Sequence, residues 1–173
     1  LEIARLLTYR VGTLLTLAGG WLLAGLLDGE RGRLRFGLAT AAFVTSAAFV
    51  FAGSRLDHWH TAGTIQRELG GLRAGQRCDV VHPTAMTQGA VDLLVRDCDT
   101  QVAEVAQAMG VTSPPRVTAY FFSSPAEKRR LMGAADTYIA KPWRHEVYLQ
   151  MGGYPHPILG HELAHVIASA YGK

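Results

Sequence analysis

Residues 157–173 read PILGHELAHVIASAYGK, with two histidines four positions apart. In an α-helix, residues four apart lie on one face, about 40° apart around the axis. His161 and His165 can therefore aim both imidazoles at one ion. Leu159, Leu163, Val166, Ile167 and Ala170 occupy the other faces, which predicts a buried helix. Pro157 suits an early helical turn, Gly160 a close approach just ahead of the first histidine, and Gly172 a C-terminal cap.

Imidazole nitrogen is a good zinc donor, and catalytic zinc is commonly held by three protein ligands with one position left to water. Zinc lowers the pKa of that water toward about 7, and an adjacent carboxylate can take its proton. The expectation is a zinc cofactor with His161 and His165 as ligands and Glu162 as general base. A longer form of the motif would need Gly at 168 and His at 171, where the chain has Ala168 and Tyr171. Of the spare histidines His82, His145 and His156, the last lies just before the helix and reads as solvent-facing or locally hydrogen-bonded. The third ligand is expected beyond Lys173.

Upstream the pattern is mixed. Residues 78–83 read as a short strand stopped by Pro83. Met86, Ala90, Leu93, Leu94, Cys98, Val102, Val105 and Met109 fall on one face of a long helix over 86–109, closed by Gly110. Residues 116–122, after Pro114-Pro115, form the clearest strand. Ser124-Pro125-Ala126-Glu127 is a helix start, and that helix ends near Gly133. Residues 137–140 and 144–150 read as strands around a Lys-Pro-Trp turn. Strands and helices in this order make an α+β domain.

Cys78 and Cys98 fit neither a zinc ribbon nor a CxxC redox motif. They are either two buried thiols or one disulfide, which would require an oxidising compartment. Cys98 on the buried face of its helix could meet Cys78 if the first strand packs beneath.

The first third is different. Residues 11–27 and 36–54 carry no charge, and about 20 apolar residues suffice to span a bilayer as a helix. Spans at about 8–27 and 36–54 predict a membrane hairpin over 1–54, with Gly and Ala suited to close packing in lipid. The alternative, two core helices of a soluble protein, asks a 173-residue chain to bury both on all sides. The intervening 28-DGERGRLR-35 favours the cytoplasmic side, which leaves residues 56–173 extracytoplasmic, although Arg5, Arg10 and Arg55 weigh against this. Residues 55–76 read as a juxtamembrane linker, with Trp59 at the interface and the His58-x-His60 pair solvated there. Domain organisation is thus hairpin, linker and a mixed domain over 77–173. Net charge is only +3 and no basic run is interleaved with aromatics, which excludes nucleic acid as the expected partner. Membrane lipid is expected instead; the sequence is silent on oligomeric state.

HEVYLQ, GGYPHPILG and HELAHVIASAYG together resemble the gluzincin branch of zinc metallopeptidases, and look closest to its membrane-associated peptidase MA-like group. The likeness covers 78–173 in element order and 144–172 in residue detail. It implies an incomplete zincin-like domain that hydrolyses peptide bonds, with zinc on His161 and His165 and Glu162 as base. It also implies that residues 144–150 are an edge strand on which an extended peptide or protein substrate pairs, through Val147, Tyr148 and Leu149. The family's third ligand, a Glu on a later helix, has no counterpart here. Two other readings compete: an intramembrane site-two-type protease, and a catalytically silent, membrane-tethered binding or sensor module on the same fold.

Overall fold

The computed structural model describes residues 2–27, 32–53, 55, 56 and 58–172. The chain divides into two compact units, residues 1–61 and 62–173.

The first unit is a pair of apolar helices, α1 (Glu2–Leu27) and α2 (Arg33–Phe51). Leu6–Gly25 and Arg33–Phe51 are each long and apolar enough to cross a bilayer. Their outward residues are apolar and bare: Leu14, Leu17, Trp21, Leu34 and Phe51 are all exposed. The two helices meet through small residues. A Cβ on Gly12 would come within 3.3 Å of Phe49, and one on Gly19 within 3.1 Å of Phe43. Thr16 Oγ1 lies 2.6 Å from Ser46 Oγ, which also donates to the Gly12 carbonyl (3.2 Å). The second helix ends at Phe51 rather than 54, with a turn at Ala52 and Gly53. Arg33 and Arg35, expected in the connecting loop, belong to α2, and Arg35 packs over the Trp21 ring at 5.8 Å. Residues 28–31 of that loop lie outside the described residues. His58, expected to be solvated, has its Nε2 2.8 Å from Thr8 Oγ1.

The second unit begins earlier than its sequence suggests. Ala62–Leu69 form α3 and Gly70–Ala74 form β1, so most of the expected linker is folded. Ile65 and Leu69 are buried, and Gly70 turns the chain from helix to strand with φ of +81°. The remaining elements are β2 (Cys78–Pro83), α4 (Gln88–Ala108), β3 (Val117–Phe122), α5 (Pro125–Met132), β4 (Ile139–Lys141), β5 (Glu146–Gln150) and α6 (Leu159–Ile167). A short 3-10 turn, Pro142–Arg144, joins β4 to β5, and another, Ala168–Tyr171, follows α6.

The five strands form one mixed sheet in the order β1-β2-β3-β5-β4. The central strands β2, β3 and β5 run parallel, while β1 and β4 pair antiparallel at the two edges. Central position explains why CDVVHP, VTAYFF and EVYLQ are apolar on both faces. On one face Val80, Phe121, Val147 and Leu149 pack with Leu94, Cys98 and Val102 of α4 and Leu159, Leu163 and Val166 of α6. On the other, Val81, Tyr120, Phe122 and Tyr148 pack with Ile65 and Leu69 of α3 and Leu131 of α5.

Local chemistry fixes the ends. Thr87 caps α4 from Ala90 N at 3.4 Å, and Gly110 closes it with φ of +68°. Ser124 accepts from Glu127 N at 3.1 Å, and Glu127 Oε2 accepts in return from Ser123 N at 2.8 Å. That is the expected capping box with its return bond shifted one residue back. The face of α4 is slightly rotated from its expected position: Val91 and Ala106 are buried, whereas Leu93 is 41 % exposed. Cys78 and Cys98 form a disulfide between β2 and α4, with their Cα atoms 5.9 Å apart. Beside it Asp99 accepts from the backbone N–H of Gln76, Arg77 and Cys78 at 2.7–2.9 Å, tying the β1–β2 turn to α4.

Candidate metal centre

The motif helix α6 is only nine residues long, and Leu159, Leu163, Val166 and Ile167 on its inner side are fully buried. It lies against α4 and the β4–β5 end of the sheet. The inner face is narrower than expected at its end, because Ala170 falls in the exposed 3-10 turn. Gly160 admits the close approach anticipated for it: a Cβ there would meet Gln101 Oε1 of α4 at 2.9 Å.

His161 and His165 are exposed on the outer side of α6, and their Nε2 atoms converge to 3.2 Å. Two nitrogens bound to one tetrahedral zinc at ordinary Zn–N lengths stand about 3.3 Å apart. The pair therefore fits the edge of a zinc tetrahedron, provided both rings carry their proton on Nδ1. Without an ion, the same geometry lets one ring donate to the other. No described residue bonds either Nδ1. Among the described residues no third His, Cys, Asp or Glu joins the pair.

Glu162 is turned inward, 7 % exposed, and accepts no hydrogen bond from a described residue. Its electrostatic neighbour is Lys128 of α5, a fully buried side chain. Lys128 Nζ donates to the Thr137 carbonyl and lies 5.4 Å from the centre of the Tyr138 ring. Burial pushes the Lys128 ammonium below the ordinary lysine range, and the charges of Glu162 and Asp136 partly offset this. Sequence reasoning did not single out Lys128; in PAEKRRLM it looks like one of three cations on a surface helix.

Two expectations change. The strand at 144–150 is not an edge: β5 pairs with β3 on one side and β4 on the other, with Val147 opposite both Ala119 and Ala140. Val147, Tyr148 and Leu149 are fully buried, so their side chains are core rather than substrate-binding. The open edge on this side is β4, Ile139–Lys141. His156, expected in solvent or in local bonds, is buried and makes local bonds with both ring nitrogens. His82 is also buried, with Nδ1 2.9 Å from the Pro83 carbonyl, and His145 sits exposed in the left-handed turn before β5.

Away from the motif, Glu146 is buried on the α3–α5 face. It accepts from Tyr148 Oη at 2.7 Å and from Arg144 Nε at 2.8 Å. Tyr148 stacks on Tyr120 at 4.6 Å, and burial together with the Glu146 charge pushes the Tyr120 hydroxyl up to about 12.

No protein-family model, curated protein or solved structure matches this chain. The functional reading rests on the site itself.

Proposed function

We propose that this chain is part of a membrane-anchored, zinc-dependent metallopeptidase, with residues 56–173 on the extracytoplasmic side. The observation that carries it is the convergence of His161 Nε2 and His165 Nε2 on one point, with the Glu162 carboxylate on the next position of the same helix. The anchor rests on two bare apolar helices, and the oxidising side of the membrane on the Cys78–Cys98 disulfide.

His161 and His165 would hold the ion, with the third ligand drawn from outside the described residues. When bound, zinc activates water and polarises the substrate carbonyl. Glu162, one position after His161, would take the proton released by the attacking water and return it to the departing amine. An extended peptide would pair along β4, because Ile139–Lys141 offer the free main-chain edge on the α6 side of the sheet.

The test is peptide hydrolysis by the natural membrane protein beside its Glu162→Gln variant. The variant should keep its zinc and lose about 100-fold or more in kcat. Zinc bound with no cleavage of diverse peptides by the wild type would convert the reading to a silent binding module. Equal activity in both proteins would remove Glu162 as base.

A further inference from the structure

The loop before α6 is held by a buried polar network joining it to α4 and β5. Asp97 of α4, itself buried, accepts from the backbone N–H of His156 at 2.7 Å through Oδ2. Its Oδ1 accepts from Gln101 Nε2 at 2.7 Å, and the same amide nitrogen donates to the His156 carbonyl at 3.3 Å. The His156 ring lies edge-on to Phe121 at 5.7 Å and to Tyr138 at 6.3 Å. Its Nε2 is 2.9 Å from the Gln150 carbonyl at the end of β5. Its Nδ1 is 3.3 Å from Ile158 N and 3.1 Å from Leu159 N, the first amides of the motif helix.

These partners leave the ring one state. A carbonyl can only accept, so Nε2 carries the proton; backbone amides can only donate, so Nδ1 presents its lone pair. The first amides of a helix have no partner within it, and Ile158 at the cap position has no side-chain oxygen to offer. His156 replaces it. The ring thereby links the end of β5 to the start of α6, five residues before His161.

We infer that His156, in its neutral Nε2–H form, is a positioning residue. It caps the HELAH helix and, with Asp97 and Gln101, sets the height of α6 on the sheet and so the place of His161 and His165. It is not a metal ligand. This inference rests on the metal-site reading above. No described residue bonds the outer nitrogens of the two ligands, so their placement depends on how α6 itself is held.

The test uses the natural membrane protein in detergent, with zinc affinity read by chelator competition and the imidazole state by ¹⁵N shifts. His156→Phe keeps an aromatic ring against Phe121 and Tyr138 but removes both bonds; His156→Gln can still donate to Gln150 and accept from the helix amides. We expect the Phe variant to lose about tenfold or more in zinc affinity while the Gln variant stays close to wild type. A folded Phe variant that binds zinc as the wild type does would overturn the inference. So would equal losses in both variants, because the bonds that Gln retains would then not be what places the helix. If the Phe variant does not fold, the wild-type ring decides: a proton on Nδ1 refutes the cap, and one on Nε2 together with an unimpaired Gln variant sustains it. A wild type that holds no zinc would instead bring down the metal site, and the positioning role with it.

Discussion

The two units use the same apolar residue types in opposite ways. In residues 6–51 the leucines and aromatics point outward: Leu14 is 63 % exposed and Trp21 70 %, while the interior is made of Ala39, Ala42 and Ser46. In residues 62–172 the core is made of large apolar side chains instead, and Phe121, Leu149 and Leu163 are fully buried. A hairpin with its apolar surface outward could span a bilayer, where small residues bring helices together. A sheet with both faces covered keeps its large apolar side chains inside. Exposure therefore carries a different meaning in each unit, which substitution can probe.

The largest effect is expected in the core of the second unit. Leu163→Ala should destabilise it by about 2–5 kcal/mol, read by denaturant unfolding, because α6 has no other large side chain at that point of its buried face. A loss below that range would mean that α6 is loosely seated and the ligand pair poorly placed.

The next test sets two exposed leucines side by side. Leu14→Arg should raise the cost of membrane insertion by about 2.5–3.5 kcal/mol, measured by membrane fractionation or glycosylation mapping. Leu93→Arg on α4, at 41 % exposure, should change stability by no more than about 0.5 kcal/mol. Equal tolerance of both would end the distinction between the units and favour a soluble hairpin.

The smallest effect is a pH dependence confined to the second unit. Burial would raise the Glu146 carboxyl. The bonds from Arg144 and Tyr148 and the charges of Arg144 and Lys141 outweigh it and hold it below the usual range. Its folded form thus binds a proton less readily than the unfolded chain does. The resulting stability is present above the unfolded value, about 4.3, and is lost as pH falls through the folded one. Arg144→Ala should lower stability at neutral pH and flatten the loss in acid, in urea unfolding at several pH values. An unchanged acid profile would show that Tyr148 and Lys141 hold Glu146 without Arg144.

How much of this was legible follows from the range of the interactions involved. The hairpin and HELAH are local patterns of hydropathy and spacing, and both stand where the residues put them. The helix starting at Ser124 needs only its own four residues. By contrast β1, GGLRA, has almost no strand pattern; it becomes a strand because β2 pairs with it, Gly71 opposite His82 and Leu72 opposite Val81. The error over β5 has the same origin. The strand at 137–140 was legible, across a turn from 144–150, but nothing in HEVYLQ tells that β3 pairs with its other side, and that pairing is what makes β5 central. His156 looked like a loop histidine because its partner Asp97 is 59 residues away. Lys128 was hidden for the same reason: its burial depends on Thr137 and Tyr138, which only the fold brings to it.

The claim on which the rest depends is that the histidine pair binds zinc. Its most direct test is the metal content of the natural protein, purified without chelator, beside His161→Ala. The account predicts about one zinc per chain in the wild type and none in a folded His161→Ala variant, as expected where a single helix supplies both described ligands. A folded wild type without zinc, or zinc retained when His161 is gone, would contradict it.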